Sequence, residues 1–292
     1  MNFFKKLFGP KVEKVDIQKR FTLHNRVGQG SMSKVWKATD LKTGRQVALK
    51  VLDKAKLIRL EARFVGMVKP REGQIAVVLD HPNIVKTFEH GLTTEDEQYL
   101  IMEYLEGVSL SFLVDTQNER MRLNCLNYCI QLGEGLDYLH RNEWIHRDLC
   151  PRNAIVTDDD AVKLIDFGLM VPNTPDFRKP GNRTGTANYM APELVMRQAT
   201  DQRIDIFSYA VTCFEMFTKQ LPWPSGDTLE SVLQHVNKPP HDIREFRPDL
   251  DEQIAQAIMT GLDRDLNVRW RTVRRMLNEF YEAARRLGLM AQ

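Results

Sequence analysis

HRDLCPRN, residues 146–153, and DFG, residues 166–168, carry the chemistry of this chain. Asp148 is a carboxylate able to take a proton. The amide of Asn153 and the carboxylate of Asp166 offer oxygen atoms of the kind that bind a hard cation. Moving a phosphoryl group asks for this set: a divalent cation to neutralise spreading charge and a base that orients the attacking hydroxyl. Taken singly, either run also reads as a turn whose charges are solvated; their order and spacing favour the chemical reading.

Size and composition are compatible with such a catalyst. The 292 residues suffice for one bilobed domain or two small ones, and 42% hydrophobic with 27% charged residues is ordinary for a globular protein. With 41 basic against 39 acidic residues, the net charge of +2 argues against a general polyanion binder, so nucleic acid is not expected as a partner. Cys125, Cys129, Cys150 and Cys213 show neither a zinc spacing nor a secreted framework. They read as free thiols in a reducing compartment, which gives a cytoplasmic expectation. No apolar run approaches the roughly 20 residues that span a bilayer. The opening MNFFKKLFGPK has too short an apolar part for a secretory signal. Its phenylalanines and lysines allow weak peripheral contact of residues 1–14 with an anionic membrane, although a frayed tail or a strip packed on the domain is the preferred reading.

From Phe21 the pattern becomes strand-like, with alternating apolar residues through Val35, Val47, Leu49 and Val51. Gly28 and Gly30 are therefore expected in a turn between two strands, forming a lid over phosphates rather than the opening of a helix. Lys50 should face away from Val47, Leu49 and Val51. YLIMEYLEG, residues 99–107, reads as a buried strand. Residues 122–143, with Leu123, Leu126, Ile130, Gly133, Leu136 and Leu139, read as a helix. AIVTDDDAVKLIDFG reads as a hairpin whose Asp158, Asp159 and Asp160 are turn residues rather than metal ligands.

Taken together, the glycine loop, VALK ending at Lys50, HPN at 81–83, HRDLCPRN, DFG, GTANYMAPE at 185–193, DIFSYAV and DRDLNVRW resemble the protein kinase family, Ser/Thr branch, from residue 21 to about 285. The resemblance implies an α+β, two-lobed fold: a five-stranded small lobe with one main helix (21–105) and a mostly helical large lobe (106–287), after a tail of residues 1–20. It implies ATP bound between the lobes, Mg2+ as cofactor, and a protein substrate phosphorylated on serine or threonine.

Its site residues follow position by position. Lys50 would be held by a helical glutamate nine positions before His81, which selects Glu72 over Glu61. Pro70 would open that final part of the helix, and the basic residues 53–69 would be a solvated extension. Gly28, Gly30, Ser33, Val35, Ala48, Met102 and Ile155 would border the nucleotide. The backbone of Glu103 and Leu105 would meet adenine, and Ser109 stands where relatives place an acidic ribose contact. Asp148 would accept the substrate proton, with Asn153 and Asp166 on Mg2+ and Thr186 bonded to Asp148.

Two departures from the family pattern are a serine, Ser33, for the third glycine and Cys150 where a lysine is usual. Arg152 would restore part of that charge and favour acidic residues around the acceptor. These departures also define the alternative, a nucleotide-binding scaffold without transfer. His146 is expected packed beside Phe167, and Arg147 to form a cationic spot for a phosphorylated loop. Residues 169–184 are expected to be a mobile loop, with Thr184 its nearest candidate for phosphorylation. Asp205 would cap the catalytic loop, and Arg269 would pair with Glu193.

Overall fold

The computed structural model describes residues 14–29, 32–64, 66–181, 183–224 and 229–289. The chain divides into two compact units after Glu106.

In the first unit the order is β1 (Lys14–Val15), α1 (Ile17–Arg20), β2 (Phe21–Gln29), β3 (Ser33–Asp40), β4 (Arg45–Leu52), α2 (Lys54–Glu61), α3 (Glu72–Ala76), β5 (Thr87–Thr93) and β6 (Gln98–Glu103). The strands form one sheet in the order β1-β5-β6-β4-β3-β2, antiparallel except for β1 on β5. Strand alternation puts Val47 and Leu49 on one face, where they join Phe21, Ala38, Tyr99 and Ile101 in a core flanked by Val15, Ile17 and Val51. Full burial of each large apolar side chain contributes about 1.5–3 kcal/mol. Ala48, Lys50 and Leu52 alternate with that set and point to the opposite face.

Four expectations are corrected here. Among the described residues the sheet has six strands, because β1 adds to its edge, and three short helices stand where one main helix was expected. Residues 53–69 are not wholly solvated: Asp53 caps α2, while Leu60 and Phe64 are buried. Pro70 lies outside α3, whose N-cap is Arg71.

Residues 14–20, expected to belong to the tail, instead carry β1 and α1 of the first unit. Arg20 reaches Asp40 at 3.2 Å and Glu89 at 2.5 Å, and the Tyr99 hydroxyl donates to the same Glu89 at 2.7 Å. This ties residues 14–20 to the sheet. Residues 1–13, with their proposed membrane contact, lie outside the described residues, and Lys14 pairs with Asp96 at 2.7 Å.

The second unit opens with β7 (Gly107–Ser109), α4 (Leu110–Thr116), α5 (Glu119–Arg141) and β8 (Trp144–Ile145). There follow β9 (Ala154–Thr157), β10 (Val162–Leu164), β11 (Val171–Pro172), α6 (Pro192–Val195) and α7 (Arg203–Thr218). The unit ends with α8 (Leu229–Asn237), α9 (Ile243–Phe246), α10 (Glu252–Gly261) and α11 (Val273–Arg286). Asn118 begins α5 by accepting the Met121 N–H at 2.9 Å, filling one of the donors a helix start leaves open. Its stripe differs at one point: Leu123 is 71% exposed, and burial begins along Met121, Cys125 and Leu126. α5 packs against α7 and α11, with Gly133 so close to Tyr209 and Leu277 that a Cβ there would sit 2.6 Å from both.

β9 and β10 form the expected antiparallel hairpin. Its acidic turn is a structural anchor: Asp160 receives Arg120 at 2.8 Å and also the Tyr128 hydroxyl. No group of three or more His, Cys, Asp or Glu suited to a metal occurs among the described residues.

Candidate active site

In the first unit, Lys50 comes from the middle of β4 and Glu72 from the first turn of α3. Their Nζ–Oε1 distance is 2.6 Å, and the side chains are 5% and 4% exposed. An ion pair so removed from water is retained only with good geometry and further partners. Of the neighbouring site residues, Ala48 and Met102 are buried and opposite each other across β4 and β6. Val35 lies opposite Lys50 on β3. Glu103 is committed to Lys86, donating its N–H to the Lys86 carbonyl at 2.9 Å and accepting the Lys86 N–H on its side chain at 2.8 Å. Leu105 follows in the irregular segment after β6.

The glycine loop differs from expectation. Gly28 lies inside β2, opposite Val35, because the strand runs on to Gln29. Ser33 is 7% exposed and starts β3. Gly30 lies outside the described residues.

In the second unit, the catalytic-loop stretch is shaped by a carboxylate that is itself fully buried. Asp205, on the first turn of α7, accepts the backbone N–H groups of His146 at 2.7 Å and Arg147 at 2.8 Å and meets His140 Nε2 at 2.9 Å. Burial works to raise its pKa, but the His140 hydrogen bond and the neighbouring charges and N–H groups outweigh burial and hold it below the ordinary carboxylate value. Arg147 is thereby held at φ +68°, an uncommon conformation for a residue with a Cβ. Arg147 is 5% exposed, and burial lowers its pKa. The expected surface cationic spot is therefore buried instead. His146 sits edge-on to Phe167 at 6.2 Å, and burial depresses its pKa, so it is a packed neutral ring.

The turn so formed presents Asp148. Its Oδ1 accepts both the N–H and the hydroxyl of Thr186, each at 2.7 Å. The Asn153 amide donates to its Oδ2 at 3.1 Å and to its carbonyl at 2.7 Å. Burial raises the Asp148 pKa above the carboxylate norm, while the Thr186 bond opposes that rise. With its nitrogen occupied by Asp148, Asn153 keeps its amide oxygen as the end that suits a cation. Asp166 accepts the Gly168 N–H at 3.0 Å and is half-buried.

Gly185 explains how Thr186 comes so near. It has φ +129°, and a Cβ there would lie 2.5 Å from the Arg147 carbonyl. Cys150 is 1% exposed, 3.9 Å from the Thr186 hydroxyl, and its pKa is raised by burial and by Asp148, so it stays a neutral thiol. Arg152 is exposed and places Nη2 3.5 Å from the same hydroxyl. Ser109 spends its oxygen on the Phe112 N–H at 3.2 Å, capping α4, and Ile155 is half-buried on β9 opposite Ser109.

Two expectations about the following loop change. Residues 173–178 are tied down: Arg178 donates to the Asn173 side chain at 2.8 Å, and Asn173 donates to Glu143 and Gln202. Thr184 is 2% exposed, which hides it from a modifying enzyme in this arrangement. The Glu193–Arg269 pair is present and bidentate, at 2.7 and 3.1 Å. Sequence reasoning missed Tyr189, whose hydroxyl donates to Glu215 at 2.5 Å although it lies within the 185–193 motif, and Arg20, which falls in no short motif.

Comparison with known proteins agrees with this arrangement. The model of the protein kinase domain matches residues 21–281. A probable serine/threonine-protein kinase of Clostridium acetobutylicum is 28% identical over 265 residues, which cover 90% of this chain and 40% of that protein. One of Streptomyces coelicolor is 30% identical, covering 88% and 39%. The serine/threonine-protein kinase PrkC of Bacillus subtilis is 26% identical, covering 89% and 40%. The chain thus spans about two-fifths of the length of the curated relatives it matches. With its Lys50–Glu72 pair and its Asp148, Asn153 and Asp166 in the positions the motifs require, the chain belongs to the protein kinase domain family.

Proposed function

We propose that this chain transfers the γ-phosphoryl group of ATP to serine and threonine hydroxyls of a protein substrate, with Mg2+. The observation that carries the reading is the fixing of Asp148 by Thr186 on one carboxylate oxygen and Asn153 on the other. Burial raises the Asp148 pKa, so it retains a proton better than an ordinary carboxylate, while the Thr186 bond favours the ionised form. It orients the acceptor hydroxyl and takes its proton. Lys50, kept in place by Glu72, aligns the nucleotide phosphates.

The oxygen donors Asn153 and Asp166 suit Mg2+, which needs only one or two protein ligands beside substrate phosphates. When bound, that ion neutralises charge on the phosphates. Thr186 favours an aliphatic hydroxyl as acceptor through its contact with Asp148, and the relatives are named serine/threonine kinases. The proposal includes a reducing, cytoplasmic setting, supported by four free, buried cysteines. No helix among the described residues is long and apolar enough to cross a membrane.

The test is transfer of radiolabel from γ-labelled ATP to a protein acceptor with Mg2+, using Asp148→Asn as blank. Label above the blank is expected. A signal equal to the blank, with nucleotide still bound, would favour a scaffold instead.

A further inference from the structure

Glu72 sits on a helix of five residues, too short to hold its place by its own hydrogen bonds. Something else must fix it against Lys50. The next residue, Gly73, is buried in contact with β5, where His90 stands. A Cβ on Gly73 would lie 2.4 Å from His90 Cβ, 2.6 Å from Cγ and 3.1 Å from Nδ1. No carbon pair tolerates that approach; contact is normal at roughly 3.5–4.0 Å. Gly73 does not adopt a left-handed conformation, so space rather than backbone freedom is what requires glycine.

Burial, reinforced by Arg71, lowers the His90 pKa, which keeps its ring neutral in this position. Beside the contact is a cavity of about 50 Å³ lined by Arg71, Gln74, His90, Gly91 and Tyr99. The packing between α3 and β5 is thus close at Gly73 and open beside it, so an added atom at Gly73 would push against His90.

We propose that Gly73 and His90 form a seat that positions Glu72, and through it Lys50, so that these two residues set catalytic competence without touching substrate. The catalytic half of this inference rests on the function proposed above.

Helix propensity alone makes the opposite forecast. Alanine favours a helix over glycine by about a factor of five per residue, so Gly73→Ala should strengthen α3. The seat requires instead that the overlap dominate, as overpacking of a closed contact does. Displacing a catalytic group by up to 1 Å reduces turnover by about tenfold to a hundredfold.

The experiment compares wild type, Gly73→Ala, Gly73→Ala/His90→Ala and Gly73→Ala/His90→Gly. Each is read by kcat at saturating peptide and by hydrogen exchange over residues 72–77. Gly73→Ala should lose about tenfold or more in kcat, with the peptide KM unchanged and the 72–77 amides exchanging faster. Because the nearest clash is with His90 Cβ, the alanine double variant keeps the defect. Only His90→Gly, which removes that atom, restores both readouts. Wild-type kcat and protection in Gly73→Ala, or equal rescue by alanine and glycine, would overturn the seat. Faster exchange with unchanged kcat would overturn its positioning role. A wild type that transfers no phosphate would refute the proposed function, and the exchange data would still decide the seat.

Discussion

Thr186→Val removes a hydroxyl while keeping the shape of the side chain, and its consequences can be worked from the contacts at Asp148. The Thr186 hydroxyl and its backbone N–H both donate to Asp148 Oδ1 at 2.7 Å. A hydrogen bond to a charged group contributes about 1.5–3 kcal/mol. Since the backbone donor remains on the same oxygen, the lower end applies, and kcat should fall by about tenfold. The same loss moves the pKa. Burial already raises Asp148, and the Thr186 bond pulls it back, so its removal lets the value climb further. The base works ionised, so the rate rises with pH through its pKa, and a higher pKa carries the acid limb of kcat/KM to higher pH. The assay is a pH series of steady-state peptide phosphorylation for wild type, Thr186→Val and Thr186→Ser, the serine variant keeping the donor and the wild-type profile. A valine variant with unchanged kcat, or an acid limb moved to lower pH, would refute the assignment.

Other perturbations test separate parts of the account. Lys50→Met and Glu72→Gln should each depress kcat/KM for ATP by at least about tenfold, and the double variant should be little worse, because neighbours in one ion pair are not additive; strictly additive losses would show independent roles. Arg269→Leu leaves Glu193 buried without its guanidinium and should cost about 3–5 kcal/mol in denaturant unfolding, more than the double variant Glu193→Leu/Arg269→Leu. Equal stability of wild type and the single variant would contradict that. Arg152 is exposed beside Thr186, so Arg152→Ala should reduce any preference for acidic residues around the acceptor on a peptide array, and an unchanged array would remove its proposed part in substrate choice.

The chain's short motifs made much of the site legible before any coordinates. His146–Asn153 and Asp166–Gly168 are compact because a tight turn fixes neighbouring residues, and their chemistry can be read off the residue types. Alternation through Val47, Leu49 and Val51 placed Lys50 on the correct face for the same local reason. What escaped depends on contacts between distant segments. Arg20 bonds to Asp40 and Glu89, and Gly73 is shaped by His90; neither pairing has a period or a spacing to betray it. Leu123 follows the helical stripe, yet α5 keeps an exposed side as far as Asn127, so this leucine stays in water. Gly28 looked like a turn residue because glycine permits turns, whereas cross-strand pairing with Val35 keeps it in β2. The loop after Asp166 looked mobile from its turn formers, but Asn173 and Arg178 tie it to Glu143, Thr200 and Gln202.

Mass-spectrometric identification of the residue phosphorylated on a protein acceptor, run with ATP and Mg2+ beside Asp148→Asn, bears most directly on the central claim. Phosphoserine or phosphothreonine formed by the wild type and absent with the Asp148→Asn variant is the predicted result. Phosphotyrosine alone, or equal phosphorylation by both proteins, would contradict it.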